Sequence, residues 1–230
     1  MSLSAQTLRV CGTEWPPYFY VENGKPQGIF TSLYAEIEKR SGIAFEVVSL
    51  PQKRMLLYFR ERAIDAESFT NPAWRGSDSG ISAYTVPVME SVDVVLTLRS
   101  RAFRASSVDD FKGKTLGCNL GYYYGEGFNE AFASKRIIRD DASGTEACLK
   151  KLHAGRVDAV ILDRLEAAYV MRKMGFESKE FATIYTFRSV SPLSLRVHVS
   201  RSELIPKLNA VIRSMRADGS VDALLNPYLK

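Results

Sequence analysis

Arg75, at the end of ESFTNPAWR, and Asp163, at the end of GRVDAVILD, are opposite charges far apart in the chain. Each follows a short run of apolar or small residues that reads as a strand. Open α/β sheets bind ligands outside the carboxyl ends of their strands, so this placement predicts that both charges face a shared crevice. A guanidinium stays charged and matches a carboxylate in bidentate fashion, while an ionised aspartate accepts hydrogen bonds from an ammonium. One cation and one anion in one crevice suit a zwitterion, and an amino-acid-like ligand is the first expectation. Each residue also has a plainer reading: a loop salt bridge for Arg75, and a cap on the following helix for Asp163. Asp158, in GRVDA, is assigned to its turn.

The elements that must hold these residues alternate from the start: TLRVCG, TSLYAEIEKRSG, AFEVVSL, PQKRMLLYFRER and AIDAES read as β-α-β-α-β. That order predicts a largely parallel sheet flanked by helices. Thr31 or Ser32 is the expected cap of the first helix and Gly42 its end, and Pro51 suits the first turn of the second. A second cycle begins after VDVVLTL, with a short capped helix from Ser107, strand TLGCNLG, a helix near Gly125, helix SGTEACLKKLHAG and strand VDAVILD. Ser143 and Glu146 have capping-box spacing, and Gly155 suits the helix end. The tail, LSLRVHVS followed by ELIPKLNAVIRSMRADGSVDALL, reads as a strand and one or two helices. The simplest account is an α/β chain of two lobes, 1–88 with 195–230 and 89–194. Crossings near 86–90 and 188–194 would form a two-strand hinge on which the lobes close.

At 230 residues the chain is long enough for one large domain or two small lobes, and 46% hydrophobic with 25% charged residues is an ordinary globular balance. The longest apolar runs are far too short to span a bilayer. The net charge of +5 is dispersed among acidic residues with no basic arm, which argues against nucleic-acid binding. Cys11, Cys118 and Cys148 show no C-x-x-C spacing; Cys11 and Cys118 sit in apolar strand patterns, and a Cys118–Cys148 bridge stays open. MSLSAQTLRV has no export signal, and Met1-Ser2-Leu3 reads as a cloning remnant. His153 and His198 stand away from any nucleophile motif, and Gly113-Lys114-Thr115 lacks the upstream glycine of a phosphate loop. No cofactor or metal is expected.

LRVCGTEWPPYF, the Thr70–Arg75 and Ile81–Tyr84 segments, FKGKTLGCNLG, LHAGRVDAVILD and the closing helices, in this order and spacing, resemble the periplasmic amino-acid-binding proteins of ABC importers. These are the bacterial extracellular solute-binding proteins of family 3, and the resemblance implies the two-lobed type II periplasmic-binding-protein (Venus flytrap) fold. It implies that Arg75 grips the ligand α-carboxylate with the Thr70 hydroxyl, and that Asp163 grips the α-ammonium with the backbone near Ser68. Small polar residues after a strand are also ordinary turn formers. Gly121-Tyr122-Tyr123 falls where the family has Gly and then Ser or Thr at a helix start, whose amides bind carboxylates whatever the side chain. Glu14 and Trp15 align with an acidic and an aromatic position, although Trp15 also suits packing on Pro16 and Pro17. Gln52, with Arg54 close by, replaces an expected aromatic wall, and Tyr84 joins the tyrosines at the rim.

The resemblance therefore implies a monomeric periplasmic protein, made from a precursor with an export signal, that captures an amino acid or similar zwitterion and delivers it to an ABC permease. It implies no catalysis. The alternatives of the same fold are a cyclohexadienyl-dehydratase-like enzyme, with Glu14 or Glu166 as proton donor, and the sensing domain of a kinase or lytic transglycosylase.

Overall fold

The computed structural model describes residues 6–228, so the Met1-Ser2-Leu3 stretch lies outside it. The chain divides into two units, Met1–Glu90 with Ser191–Lys230, and Ser91–Val190. The boundaries fall two residues later and four residues earlier than the expected 88 and 195.

In the first segment, strand β1 (Thr7–Gly12) is followed by the hairpin β2 (Tyr20–Glu22) and β3 (Lys25–Gln27), helix α1 (Ile29–Ser41), β4 (Ala44–Ser49), α2 (Gln52–Arg60) and β5 (Ala66–Thr70). A 3-10 stretch, Pro72–Ile81, then leads to β6 (Ser82–Tyr84) and β7 (Met89–Ser91). The second unit carries β8 (Asp93–Leu98), β9 (Thr115–Asn119), α3 (Phe128–Ala133), β10 (Ile138–Ala142), α4 (Thr145–His153), β11 (Ala159–Asp163), α5 (Arg164–Lys173) and β12 (Phe181–Thr186). The returning segment adds β13 (Ser191–His198), α6 (Ile205–Ala217) and α7 (Ser220–Leu225).

The first unit is built on a sheet ordered β4-β1-β5-β13-β6, with β7 also on β13. Strands β4, β1 and β5 are parallel, as the β-α-β pattern requires, and β13 then runs antiparallel to β5 and β6. Helix α1 covers the sheet with Ile29, Phe30, Leu33, Tyr34 and Ile37, the stripe expected of an amphipathic helix. It ends at Gly42, whose φ of 68° suits the left-handed cap. Its start differs from expectation, because Thr31 and Ser32 lie inside the first turn and Gly28 precedes the helix. Gly28 has φ 103°, and a side chain there would press on the Pro17 and Tyr18 carbonyls at 2.5 and 2.7 Å. Those carbonyls accept the amides of Ile29 and Phe30, which ties the helix start to the segment after Trp15. Pro51 is the cap of α2 and not part of its first turn.

The second unit has a sheet ordered β10-β9-β11-β8-β12, parallel from β10 to β11 and antiparallel from β11 to β12. Successive side chains of a strand point to opposite faces, and both faces are covered. Val94, Leu96, Val160 and Leu162 pack with Leu149 and Leu152 of α4 and Met171 of α5. Val95, Ala159 and Ile161 pack with Phe111, Tyr124, Phe128 and Phe187 on the other face. The expected Ser143–Glu146 capping box does not form: α4 is capped by Gly144, which has no side chain to offer, and Glu146 pairs with Lys150 at 2.6 Å. Ser107 does cap its short helix, with Asp110 completing the box, and Asp158 serves its turn by accepting from the Thr115 amide at 2.7 Å.

Cys11, Cys118 and Cys148 are all free and buried. Burial pushes the Cys11 thiol up to about 11 and those of Cys118 and Cys148 up to about 12. They behave as small core side chains. No helix among the described residues is long and apolar enough to cross a membrane.

Candidate ligand-binding residues in each unit

Strand β5 of the first unit is buried along its whole length, and the chain turns at Asn71, whose side-chain oxygen accepts from the Ala73 amide at 2.9 Å. Arg75 follows at a kink in the 3-10 stretch, with φ −126° and ψ 26°. Its guanidinium turns back onto β5. Nε donates to both Glu67 carboxylate oxygens at 2.9 and 3.0 Å, Nη2 donates to Oε1 at 2.5 Å, and Nη1 donates to the Trp74 carbonyl at 3.0 Å. The salt bridge foreseen as the plainer reading of Arg75 is thus present. One edge of the guanidinium is held by Glu67, and of its five N–H donors the remaining ones lie on the outer edge.

Glu67 is itself held from behind. Arg196 of β13, fully buried, donates to Glu67 at 2.8 Å, to Asp78 at 3.0 Å and to the Ser82 hydroxyl at 2.9 Å, and its guanidinium lies 3.9 Å over the Phe59 ring. Arg60 reaches the other Asp78 oxygen at 3.0 Å. Burial pushes the Asp78 carboxyl up, but the hydrogen bonds from Arg60 and Arg196 outweigh it and hold the group below its ordinary value. The result is a chain of alternating charges, Arg75, Glu67, Arg196, Asp78 and Arg60, reaching the surface at both ends.

The other expected residues of this unit fall into four groups. Thr70 ends β5 with its hydroxyl buried and without a hydrogen-bond partner, and the buried Tyr84 hydroxyl likewise has none. Ser68 is committed locally, its hydroxyl 2.8 Å from that of Tyr34. Trp15 forms a bridge with Phe19, lies 4.1 Å from the Tyr18 ring and 6.1 Å from Trp74, which is 46% exposed. Glu14 and Gln52 are exposed, as is Arg54.

In the second unit Asp163 is the last residue of β11 and the cap of α5, accepting from the Glu166 amide at 2.9 Å. Its plainer reading is present too, and the carboxylate stays at the strand's carboxyl end, 7% exposed. Directly opposite it in the antiparallel register stands Asp93, the first residue of β8. Burial and the Asp163 charge push Asp93 up to about 7. Glu166, also buried, lies in the first turn of α5.

Tyr122 and Tyr123 are exposed, and the expected helix start is not there. Helix α3 begins only at Phe128 after Gly127, and the Tyr122 amide donates to the Asn119 carbonyl at 3.1 Å. Gly121 and Gly127 both occupy the left-handed region, at φ 80° and 88°, so the chain makes two turns before the helix. The amide of Tyr122 is engaged in the first of them. Burial of its hydroxyl, then the charges of Glu166, Asp93 and Asp163, push the Tyr122 phenol up to about 12. Glu67, Asp93 and Arg196 were not foreseen. The available signals were a glutamate and an arginine inside the strand patterns IDAESFT and LSLRVHVS, and an aspartate opening VDVVLTL.

Asp93 offers a direct check on this geometry. Its carboxyl is raised above the value it takes in the unfolded chain, so its contribution to stability is full below the unfolded pKa and is lost as pH rises through about 7. Asp93→Asn is expected to raise the melting temperature more at about pH 8 than at about pH 5, and thermal melts at the two values would show it. An equal shift at both would mean that Asp93 titrates normally.

A sequence profile of the bacterial extracellular solute-binding proteins, family 3, matches residues 8–230. The chain belongs to this family. Among characterised relatives, the L-cystine-binding protein TcyJ of Escherichia coli (strain K12) is 24% identical over 214 residues, which cover 91% of this chain and 77% of that protein. The solved structure of an ancestral arginine-binding protein bound to arginine is 24% identical and superposes with a TM-score of 0.75 over 97% of this chain and 98% of the other. A histidine kinase sensor domain with similarity to periplasmic binding proteins superposes at 0.78 with 18% identity, covering 97% and 96%. These likenesses establish the two-lobed type II periplasmic-binding-protein fold for the family member described here.

Proposed function

We propose that this protein captures an amino acid or similar small zwitterion outside the cytoplasm and delivers it to an ABC permease. Family membership over residues 8–230 carries the proposal, and the L-cystine-binding relative supports the ligand class. The outer edge of Arg75 and the unpartnered Thr70 hydroxyl bind the α-carboxylate; a buried hydroxyl without a partner is a cost that a ligand oxygen removes. Asp163 binds the α-ammonium, adding a charged contact to its capping bond. Trp15, Trp74 and Tyr84 on one unit and Tyr122 and Tyr123 on the other supply the apolar and aromatic surface, with Glu14 and Gln52 at its margin. Binding makes and breaks no covalent bond.

The test is a thermal-shift screen of the twenty amino acids and L-cystine. A ligand present at a hundredfold over its dissociation constant stabilises the native state by about 2.7 kcal/mol, which raises the melting temperature by about 5–10 °C in a chain of this size. No shift with any of them would overturn the amino-acid reading.

A further inference from the structure

The two units differ in how their charges are balanced. In the first, the partly exposed Arg75 and the buried Arg196 face the buried Glu67 and Asp78, so the clamp arginine has a resident counter-ion and its surroundings are close to neutral. The second is acidic. Asp93 and Asp163 are register partners on adjacent antiparallel strands, on the face shared with Val95 and Ile161. Like charges directly opposite each other across a strand pair destabilise the sheet. Burial and the like charge of Asp163 are the influences on Asp93 among the described residues, and no cation offsets them. The Tyr122 phenol lies in the field of the same carboxylates while the residue is 51% exposed, and an aromatic face beside carboxylates favours an organic cation.

We infer that Asp93 is a second anionic contact beside Asp163 and that it selects a net-cationic solute, an amino acid with a basic side chain. This rests on the amino-acid reading proposed above. With a neutral zwitterion, Asp163 answers the ammonium and Asp93 is left as a half-buried like charge. A second positive charge on the ligand answers both, and the Arg75 edge still takes the carboxylate. A cation beside Asp93 also favours its ionised form, so binding near pH 7 expels a proton and tightens as pH rises from about 6 to 8. The ionisable groups coupled to Asp93 are Asp163 from β11 and Tyr122 and Tyr124 from the loop after β9. Arg164 and Arg188 flank it on the segments whose amides, those of Arg164 and Phe187, bond to the Val92 and Asp93 carbonyls.

The experiment is titration calorimetry of the full chain with L-lysine, L-ornithine and L-arginine, and with L-glutamine, L-leucine and L-cystine, in buffers of different ionisation enthalpy. A basic amino acid is expected to bind at least about tenfold more tightly than the neutral ones, with proton release at about pH 7. In Asp93→Asn both the preference and the proton release should disappear. Equal or tighter binding of L-glutamine, L-leucine or L-cystine, or a preference that survives Asp93→Asn, overturns the inference and leaves the amino-acid reading standing. Binding of none of the six, together with an empty thermal screen, removes both.

Discussion

Arg196→Ala is expected to destabilise the first unit by about 3–5 kcal/mol, the loss typical when one member of a buried ion pair is removed. The arginine is fully buried and has no apolar reason to be there. It joins two carboxylates, on β5 and on the 3-10 stretch, that would otherwise be left in a dry site with one partner each. Glu67 would keep Arg75, and Asp78 would keep Arg60, which is half-exposed and shielded by solvent. Loss of the stacking on Phe59 adds to the deficit. Urea unfolding should show a lower midpoint with an unchanged slope. Arg196→Lys should recover only part of the loss, because one ammonium cannot span both carboxylates as the planar fork does. If Arg196→Ala unfolds at the wild-type midpoint, the alternating charge chain is not a source of stability. The same variant frees Glu67 to rotate, so the position of Arg75 depends on a residue 121 positions away in the sequence.

That dependence explains what could and could not be read from the chain. The β-α-β succession was legible because apolar period and glycine punctuation are local, as Gly42 ending α1 illustrates. Arg75 and Asp163 were legible as chemistry because each is a charge closing an apolar run. Their resident partners were not. Glu67 lies inside AESFT and Arg196 inside LSLRVHVS, and nothing local says that strands 129 residues apart bring them within 2.8 Å. Asp93 was hidden for the same reason, since its significance comes from the antiparallel register that sets it against Asp163. The loop at Tyr122 failed differently. Gly121 and Gly127 both look like helix-start glycines, and the amide of Tyr122 is taken up by the first turn, so the helix follows only the second. Both plainer readings, the salt bridge of Arg75 and the cap of Asp163, describe real bonds.

Asp163→Asn separates those two duties and carries the largest expected effect on binding. Asparagine is as good a helix cap as aspartate, so the hydrogen bond from the Glu166 amide persists and stability should change by no more than about 0.5 kcal/mol. The charge that meets the ammonium is gone, however, and affinity for the amino acid that most stabilises the wild type should fall by about a hundredfold to a thousandfold. Asp163→Ala should lose the same affinity and in addition about 1 kcal/mol of stability with the cap. The neighbour reports on the change as well: without the Asp163 charge, the Asp93 carboxyl should titrate below its value of about 7, retaining only the part of the shift that burial causes. A carboxyl-resolved NMR titration would follow it. Wild-type affinity in Asp163→Asn, with Asp93 shifted as expected, would mean that the carboxylate is only a cap and that the ammonium is held elsewhere.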